Sequence, residues 1–507
     1  MGRTIVKTLS AILISATMGG CMVGPDYHPP EMHVPSRFSA ATQPAATEPS
    51  ATQPATQPAA QIDLRRWWDT FDDPKLNELI GRGLNSNLDV QLAQARVLEA
   101  RAQVQFNVAN LLPMVNGTAS YTRSQASKNA VAFSGPGTAQ ATSGFAFGRT
   151  NLYQAGFDAG WELDVFGGTR RAIEAAQGTL EAQVEARRNA LVTLLSEIAR
   201  DYINLRGFQH ELAIVQNNVV SQRDTLNLTR SKFEAGIATD LDVAQIEALV
   251  ASTESQIPTL QTQIAQSIHQ LAVLLDEPIE KMEQELSPPA PLPAGPPVVP
   301  AGLPSELIRR RPDVREAERQ LAAASANIGV AVSDLFPKFN LTGSLGLESL
   351  SLKKFADGGS GTWSFGPSVS WKIFSAGQVQ ANIHVQDARA QEAYIQYRQA
   401  VIQSLADVED ALVAYDKEQT RLQALRRSVA ANRRAVSLAR QLNTAGVVDF
   451  LNVLTSEQSL YVAEDQLAVS EQTVSTDLIA LYKALGGGWE LTDQIAEAAP
   501  ENPTGSN

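Results

Sequence analysis

Of the 507 residues only one is cysteine, six are methionine and five are histidine. A single thiol makes no intrachain disulfide and cannot supply a cysteine zinc site. The histidines, His28, His33, His210, His269 and His384, are scattered, and no HExxH, GxSxG or phosphate-loop pattern gathers them into a catalytic set. Basic charge is scarce as well. Lys and Arg total 41 against 54 Asp and Glu, a net charge of -13, which disfavours a nucleic-acid backbone as partner. Nor does any apolar run reach the roughly twenty residues of a membrane-spanning helix.

What is present begins with a processing signal. Arg3 and Lys7 precede an apolar run from Leu9 to Thr17 and then Met18-Gly19-Gly20-Cys21, the layout of a secretory signal over residues 1–20. Small residues before a lone cysteine resemble a bacterial lipobox, which implies a covalent lipid on Cys21; a plain signal peptide with an incidental cysteine is the competing reading. No aspartate follows Cys21, so nothing resembles inner-membrane retention. Residues 41–60, rich in Pro, Thr and Ala, hold almost no large apolar side chain. Residues 21–62 are therefore read as a lipidated N-terminus and flexible linker.

A second proline-rich stretch, 287–304, divides the rest into a first unit at 63–286 and a second at 305–488, followed by a tail at 489–507. The two units are copies. Asp89-Val90 reappears as Asp313-Val314 and Leu112-Pro113 as Phe336-Pro337, both 224 residues on. Further along the shift is 210: Trp161 matches Trp371, Gly167 matches Gly377, and Ala235-Gly236 matches Ala445-Gly446. The difference falls in the Ser, Gly and Ala-rich stretch 121–150, read as a longer loop. A repeat of this size means one duplicated unit.

Four segments alternate with period two, the mark of strands with one apolar face. Val115 to Tyr121 is the first, and Tyr153 to Val165, through Phe157, Trp161 and Leu163, is the second. The second copy repeats them from Phe339 to Leu347 and from Trp363 through Phe365, Val369 and Trp371 to Ile373. Around them run long helical patterns. Between Arg170 and Phe233 there is no proline, and Leu191, Leu195, Ile198, Tyr202, Leu205, Leu212, Val215 and Val219 keep coiled-coil spacing, as Val401, Val408, Tyr415, Leu422, Val429 and Val436 do in the second copy. Helices of about 65 residues extend roughly 100 Å.

Four strands cannot close a barrel, and open edges are not tolerated in lipid, so the pattern demands oligomerisation. Three chains of four strands would close a twelve-stranded barrel around water. Tyr153, Phe157, Trp161, Leu341, Leu345, Trp363, Phe365 and Trp371 would then meet lipid, while Asp158, Glu162, Asn340 and Thr342 would line the lumen. Tyr153, Trp161, Trp363 and Trp371 are expected near strand ends, as an aromatic belt. A soluble sandwich with polar faces outward is the alternative on alternation alone.

CMVGPDYHPP at 21–30, WWDTFDDPKLNELI at 67–80, LDVQLAQARVLEARAQ at 88–103, GLPSELIRRRPDVREAERQL at 302–321 and LYKALGGGW at 481–489 resemble successive signatures of the TolC-like outer membrane factor family, in its OprM/NodT lipoprotein branch. That resemblance implies an α+β membrane protein with internal duplication: a trimeric twelve-stranded β-barrel continuous with a long α-helical coiled-coil barrel. It implies a homotrimer in the outer membrane of a Gram-negative bacterium, lipid-anchored and extending into the periplasm, without cofactor. The partners implied are outer-membrane lipid, a periplasmic adaptor and an inner-membrane RND-type pump, for which the chain would be the exit duct.

Helix ends place the hairpin tips. Gly236 suits a left-handed helix end, and Thr239 with Asp242 suits a capping box for the next helix; Gly446 followed by Asp449 repeats the arrangement. Gly236 and Gly446 are thus expected at tips that meet the adaptor. By resemblance, Asp242 and Leu451 match gate positions, while Asn452 and Thr455 stand where relatives often carry aspartate, so the acidic ring is either weaker here or supplied by Asp242 and Asp449. For Asp449 a plain N-cap and for Leu451 plain seam packing stay open. Arg309, Arg310 and Arg311 are expected to fix a helix entry through salt bridges or surface contacts. A protein-secretion duct and a soluble coiled-coil scaffold are the rival functions, and sparse Met and His give no support to copper or silver as cargo.

Overall fold

A computed structural model describes residues 22–32, 35, 38, 63–125, 149–296 and 309–490. Residues 1–20, Cys21, the linker tract 41–60, most of the 121–150 loop, part of the proline-rich connector and the tail beyond 490 lie outside the described residues. The first copy contains α1 (Pro74–Ser86), α2 (Leu88–Ala109), β1 (Met114–Gln125), β2 (Arg149–Leu163), α3 (Gly168–Glu234), α4 (Asp240–Glu254), α5 (Gln256–Leu275) and α6 (Ile279–Leu286). The second contains α7 (Pro312–Ser333), β3 (Lys338–Ser349), β4 (Gly361–Ser370), α8 (Gln378–Thr444) and α9 (Phe450–Ala484).

The duplication holds to the residue. α2 and α7 have 22 residues each and β1 and β3 have 12, at the shift of 224; α3 and α8 have 67 each, at the shift of 210. Contacts repeat too. The Trp161 indole donates to Leu111 O at 2.8 Å, and its counterpart Trp371 donates to Leu335 O at 3.0 Å. Asn87 donates to Leu274 O at 2.9 Å, and Arg311, 224 residues later, donates to Ala484 O at 3.2 Å. One difference is a helix break. α9 runs unbroken, but its counterpart divides at Ser255 into α4 and α5, where Pro258 in the first turn of α5 lacks the N–H that Ala468 keeps.

Contacts divide the chain into two compact units, each drawing on both copies. One takes Glu99–Leu180 and Arg319–Tyr394 with the segment ending at Pro29; the other takes the remainder. The first holds a four-stranded antiparallel sheet in the order β1-β2-β3-β4. Its register pairs odd residues only with odd, giving rows such as Gly117, Phe157, Leu345 and Trp363. Gly156 and Gly346 lie opposite each other because a Cβ on Gly156 would stand 2.6 Å from Leu345 O.

In the second unit the seam residues are the core. Leu191, Leu195, Ile198, Tyr202 and Leu205 are buried together with Trp67, Trp68 and Phe71 of the short 3-10 turn Leu64–Phe71, and Trp67 stacks on Tyr482 at 5.1 Å. Each such aliphatic side chain contributes about 1.5–3 kcal/mol by leaving water. The start of the proline-rich connector docks on this unit, Arg206 donating to Pro288 O at 2.9 Å and Ser475 to Pro293 O at 3.1 Å. Of the two ways in which Arg311 was expected to fix the helix entry, it takes the salt bridges rather than surface contacts. It is 9% exposed, bonded to Asp313, Asp407 and the carbonyls of Ser404 and Ala484, while Arg310 pairs with Glu490.

Candidate functional site

The sheet has two chemically distinct faces because strand side chains alternate and the register keeps odd with odd. On the odd face stand Phe157, Leu345, Trp363 and Phe365, all exposed, Trp363 at 79%. Leu341, Tyr153 and Trp161 share that face. Tyr153 packs on Tyr121 at 4.8 Å between ring centroids. So large an apolar surface on an unpartnered chain marks a face made for an apolar environment.

The even face is polar and cross-linked from strand to strand. Asn116 donates to Asp158 at 3.2 Å, Ser120 to Gln154 at 3.3 Å, and Gln154 onward to Glu348 at 3.2 Å. Ser344 and Ser364 lie 2.8 Å apart, and Thr342 donates to Gly366 O at 3.1 Å. Glu162 sits opposite Asn340 and 3.7 Å from the Lys338 ammonium. Asp158, Glu162, Asn340 and Thr342 thus share one face.

Strand ends differ from expectation in three places. β2 stops at Leu163, so Val165 lies outside it; Asp164 instead accepts from the Thr169 and Arg170 amides and caps the start of α3. β4 stops at Ser370, which leaves Trp371 and Ile373 beyond the ladder. Tyr153 falls inside β2 rather than at its end.

At the far ends of α3 and α8 the two tips are alike in how the helices stop. Gly236 at φ 69° and Gly446 at φ 71° take the left-handed conformation, and the amides of Ile237 and Val447 bond back to Lys232 O at 2.8 Å and Leu442 O at 2.9 Å. The next helices start differently. Thr239 and Asp242 form the capping box, with the Asp242 carboxylate accepting from the Thr239 amide at 2.8 Å. Asp449 occupies the N-cap of α9 but makes no side-chain cap hydrogen bond, contrary to the expected repeat of that arrangement. Around the tips Ile237, Leu241, Val447 and Leu451 are exposed. Thr455 spends its hydroxyl on Leu451 O at 2.9 Å. Lys232 of the first tip donates to Asn443 of the second at 3.4 Å, and Asn443 in turn closes its own tip by donating to Val448 O at 3.1 Å.

Between α3 and α9 lies a carboxyl pair the sequence reading did not single out. Burial, then the charge and hydrogen bonding of Asp465, push Glu211 up to about 7. Likewise burial and then Glu418 push Asp477 up to about 6. Glu457, fully buried, is held by Arg440. An acidic residue inside an otherwise apolar or small-residue seam was the only signal available for these positions.

This is the architecture of an outer-membrane channel protomer, and the comparisons agree. The family of outer membrane efflux proteins matches residues 79–277 and 303–487, the two copies in turn, and the chain belongs to it. Nodulation protein T of Rhizobium leguminosarum biovar viciae is 33% identical over 481 residues, 95% of this chain and 93% of that relative. The pyoverdine export outer membrane protein OpmQ of Pseudomonas aeruginosa is 34% identical over 436 residues, 85% and 89% of the two chains. The solved outer-membrane channel OprN superposes with a TM-score of 0.82 at 34% identity, covering 92% of this chain and all of the other. The fold is therefore the duplicated α+β fold of the TolC-like outer-membrane channels.

Proposed function

We propose that three copies of the chain form a gated passive duct that carries small molecules such as drugs across the outer membrane as the last part of a tripartite pump. The observation that carries this is the sheet. β1 and β4 are its outer strands, their outer edges unpaired among the described residues, and every odd position faces one way. Pairing β1 of one copy with β4 of the next satisfies those backbone groups and turns the apolar face to lipid. Asp158, Glu162, Asn340 and Thr342 then line a lumen that favours cations. Transport energy comes from the inner-membrane RND-type pump through a periplasmic adaptor that meets the tips near Gly236 and Gly446, and a lipid on Cys21 adds an anchor.

The gate lies at the tips, where threefold symmetry turns Leu451, Asn452 and Thr455 into rings. Of the two acidic candidates, Asp242 has its carboxylate committed to the capping box, while that of Asp449 is not used as a cap. Asp449 is therefore the stronger ring residue. Single-channel conductance in planar bilayers, with oligomer mass measured in detergent, tests the reading. Small, cation-selective openings that widen in Asp449→Ala and Leu451→Ser are expected. A trimer indifferent to both substitutions removes the gate, and a monomer without conductance removes the duct.

A further inference from the structure

The segment just after Cys21 carries the GPDY stretch, Gly24 to Tyr27, for which the duct has no use. It is nevertheless held in a built socket. The Val23 amide donates to Phe166 O at 3.2 Å. Arg171, its side chain 1% exposed, donates to Val23 O at 3.0 Å, to Gly24 O at 3.3 Å and to the Asp26 carboxylate at 2.7 Å. Glu174 holds the other arm of the guanidinium at 2.7 Å.

Three glycines clear the space. Gly24, at φ +91°, passes so close to α7 that a Cβ on it would stand 2.5 Å from Gly329 Cα. A Cβ on Gly329 would strike the Arg171 side chain at 2.8 Å, and one on Gly167, at φ +79°, would strike Met22 at 2.6 Å. Residue 22 therefore rests on the β2–α3 turn itself.

The second copy supplies the control. Gly377, the counterpart of Gly167, makes the same turn at φ +84°, yet nothing among the described residues lies within 4 Å of where its Cβ would be. The counterpart of Arg171 is Ala381. Since that turn forms bare, the strap is not there to build the turn. It serves what precedes it in the chain.

We propose that Arg171 and residues 22–26 form a clasp that fixes the mature N-terminus, and with it the acyl chains on Cys21, at the junction where β2 ends and α3 begins. The proposal rests on the reading of Cys21 as lipidated. Cys21 is bonded directly to Met22, and Met22 is seated on Gly167, so the clasp delivers the acylated residue to the turn where β2 ends. Arg171 is a positioning residue: it touches neither the lipid nor any transported molecule. Its charge is matched by Asp26 and Glu174 because a buried guanidinium without partners is strongly disfavoured.

The test uses the full-length protein in outer-membrane vesicles with His28→Cys as the reporter. Lipidation blocks the Cys21 thiol as a thioether, so a nitroxide goes to position 28 alone. The expected spectrum is slow on the nanosecond scale with Arg171 present and several-fold faster in Arg171→Gln, with palmitate incorporation and oligomer yield unchanged. Gly24→Ala, acting through different atoms, is expected to free the label to the same extent and carries the test if Arg171→Gln fails to assemble. A label equally immobile in both variants overturns the clasp. Absence of radiolabelled palmitate from the wild-type protein overturns the lipid-anchor reading instead, and the spectra then show whether the strap holds a bare terminus.

Discussion

The Glu211–Asp465 pair makes the pH dependence of the helical unit predictable. Glu211 stands at about 7 instead of its ordinary 4.5. A folded-state value raised above the unfolded one means that the folded chain holds a proton the unfolded chain has released. The stabilisation is present below about pH 4.5 and is lost as pH rises through about 7, where α3 and α9 are left with two facing carboxylates. At about 1.4 kcal/mol per tenfold change in proton affinity the ceiling is about 3 kcal/mol. Both groups are half-buried, so water screens part of it and about 1–2 kcal/mol is expected. Glu211→Gln keeps a donor to Asp465 and abolishes the titration. Chaotrope unfolding followed by helical circular dichroism at pH 5 and pH 8 reads the effect. The variant is expected to be the more stable at pH 8 and to lose less stability than wild type between the two. Equal losses in both proteins would refute the argument, since Asp477 and every other titrating group is common to them.

Arg311→Ala leaves Asp407 with Gln403 as its remaining donor and takes the guanidinium from the carbonyls of Ser404 and Ala484, and is expected to cost about 2–4 kcal/mol in the same assay, against about 1–2 kcal/mol for Asn87→Ala at the equivalent place. Gly156→Ala puts a methyl 2.6 Å from Leu345 O and is expected to cut the yield of membrane-inserted, heat-resistant oligomer several-fold, while Gly160→Ala, with nothing within 4 Å, leaves it unchanged. Trp161→Phe and Trp371→Phe each remove one indole bond and are expected to lower stability by about 1 kcal/mol and to add in the double variant.

How far the sequence was readable follows from the range of each interaction. The odd and even faces were legible because period two is a local property, and the register then had to match them: a one-residue slip at Phe157 would have turned every greasy side chain inward. Gly236 and Gly446 were legible because a left-handed helix end has few residue solutions. Strand ends were not. Alternation continues through Val165 and Ile373, but a ladder stops where its partner stops, and no local pattern records that. Asp449 failed as a cap although its residue type suited the position, for the reciprocal partner that Asp242 offers Thr239 is replaced by Asn452. Arg171 bonds Asp26 across 145 residues, and nothing periodic links them.

The duplication separates what the fold requires from what the protein uses once. Positions alike in both copies, such as the Trp161 and Trp371 indoles or Gly236 and Gly446, shape strands and tips and recur because the same architecture is built twice. Positions that differ stand where the copies carry unequal duties. The strap sits on Gly167, while Gly377 has no neighbour in the same place among the described residues. The capping box secures α4, whereas α9 begins without it, a difference of about 1 kcal/mol in local stability. Leu451, Asn452 and Thr455 all lie in the first two turns of α9, so the candidate gate rides on the less secured of the two tips. The proposed gate needs a second state at small cost, and an α9 that starts without the capping box is the cheaper of the two helix starts to move.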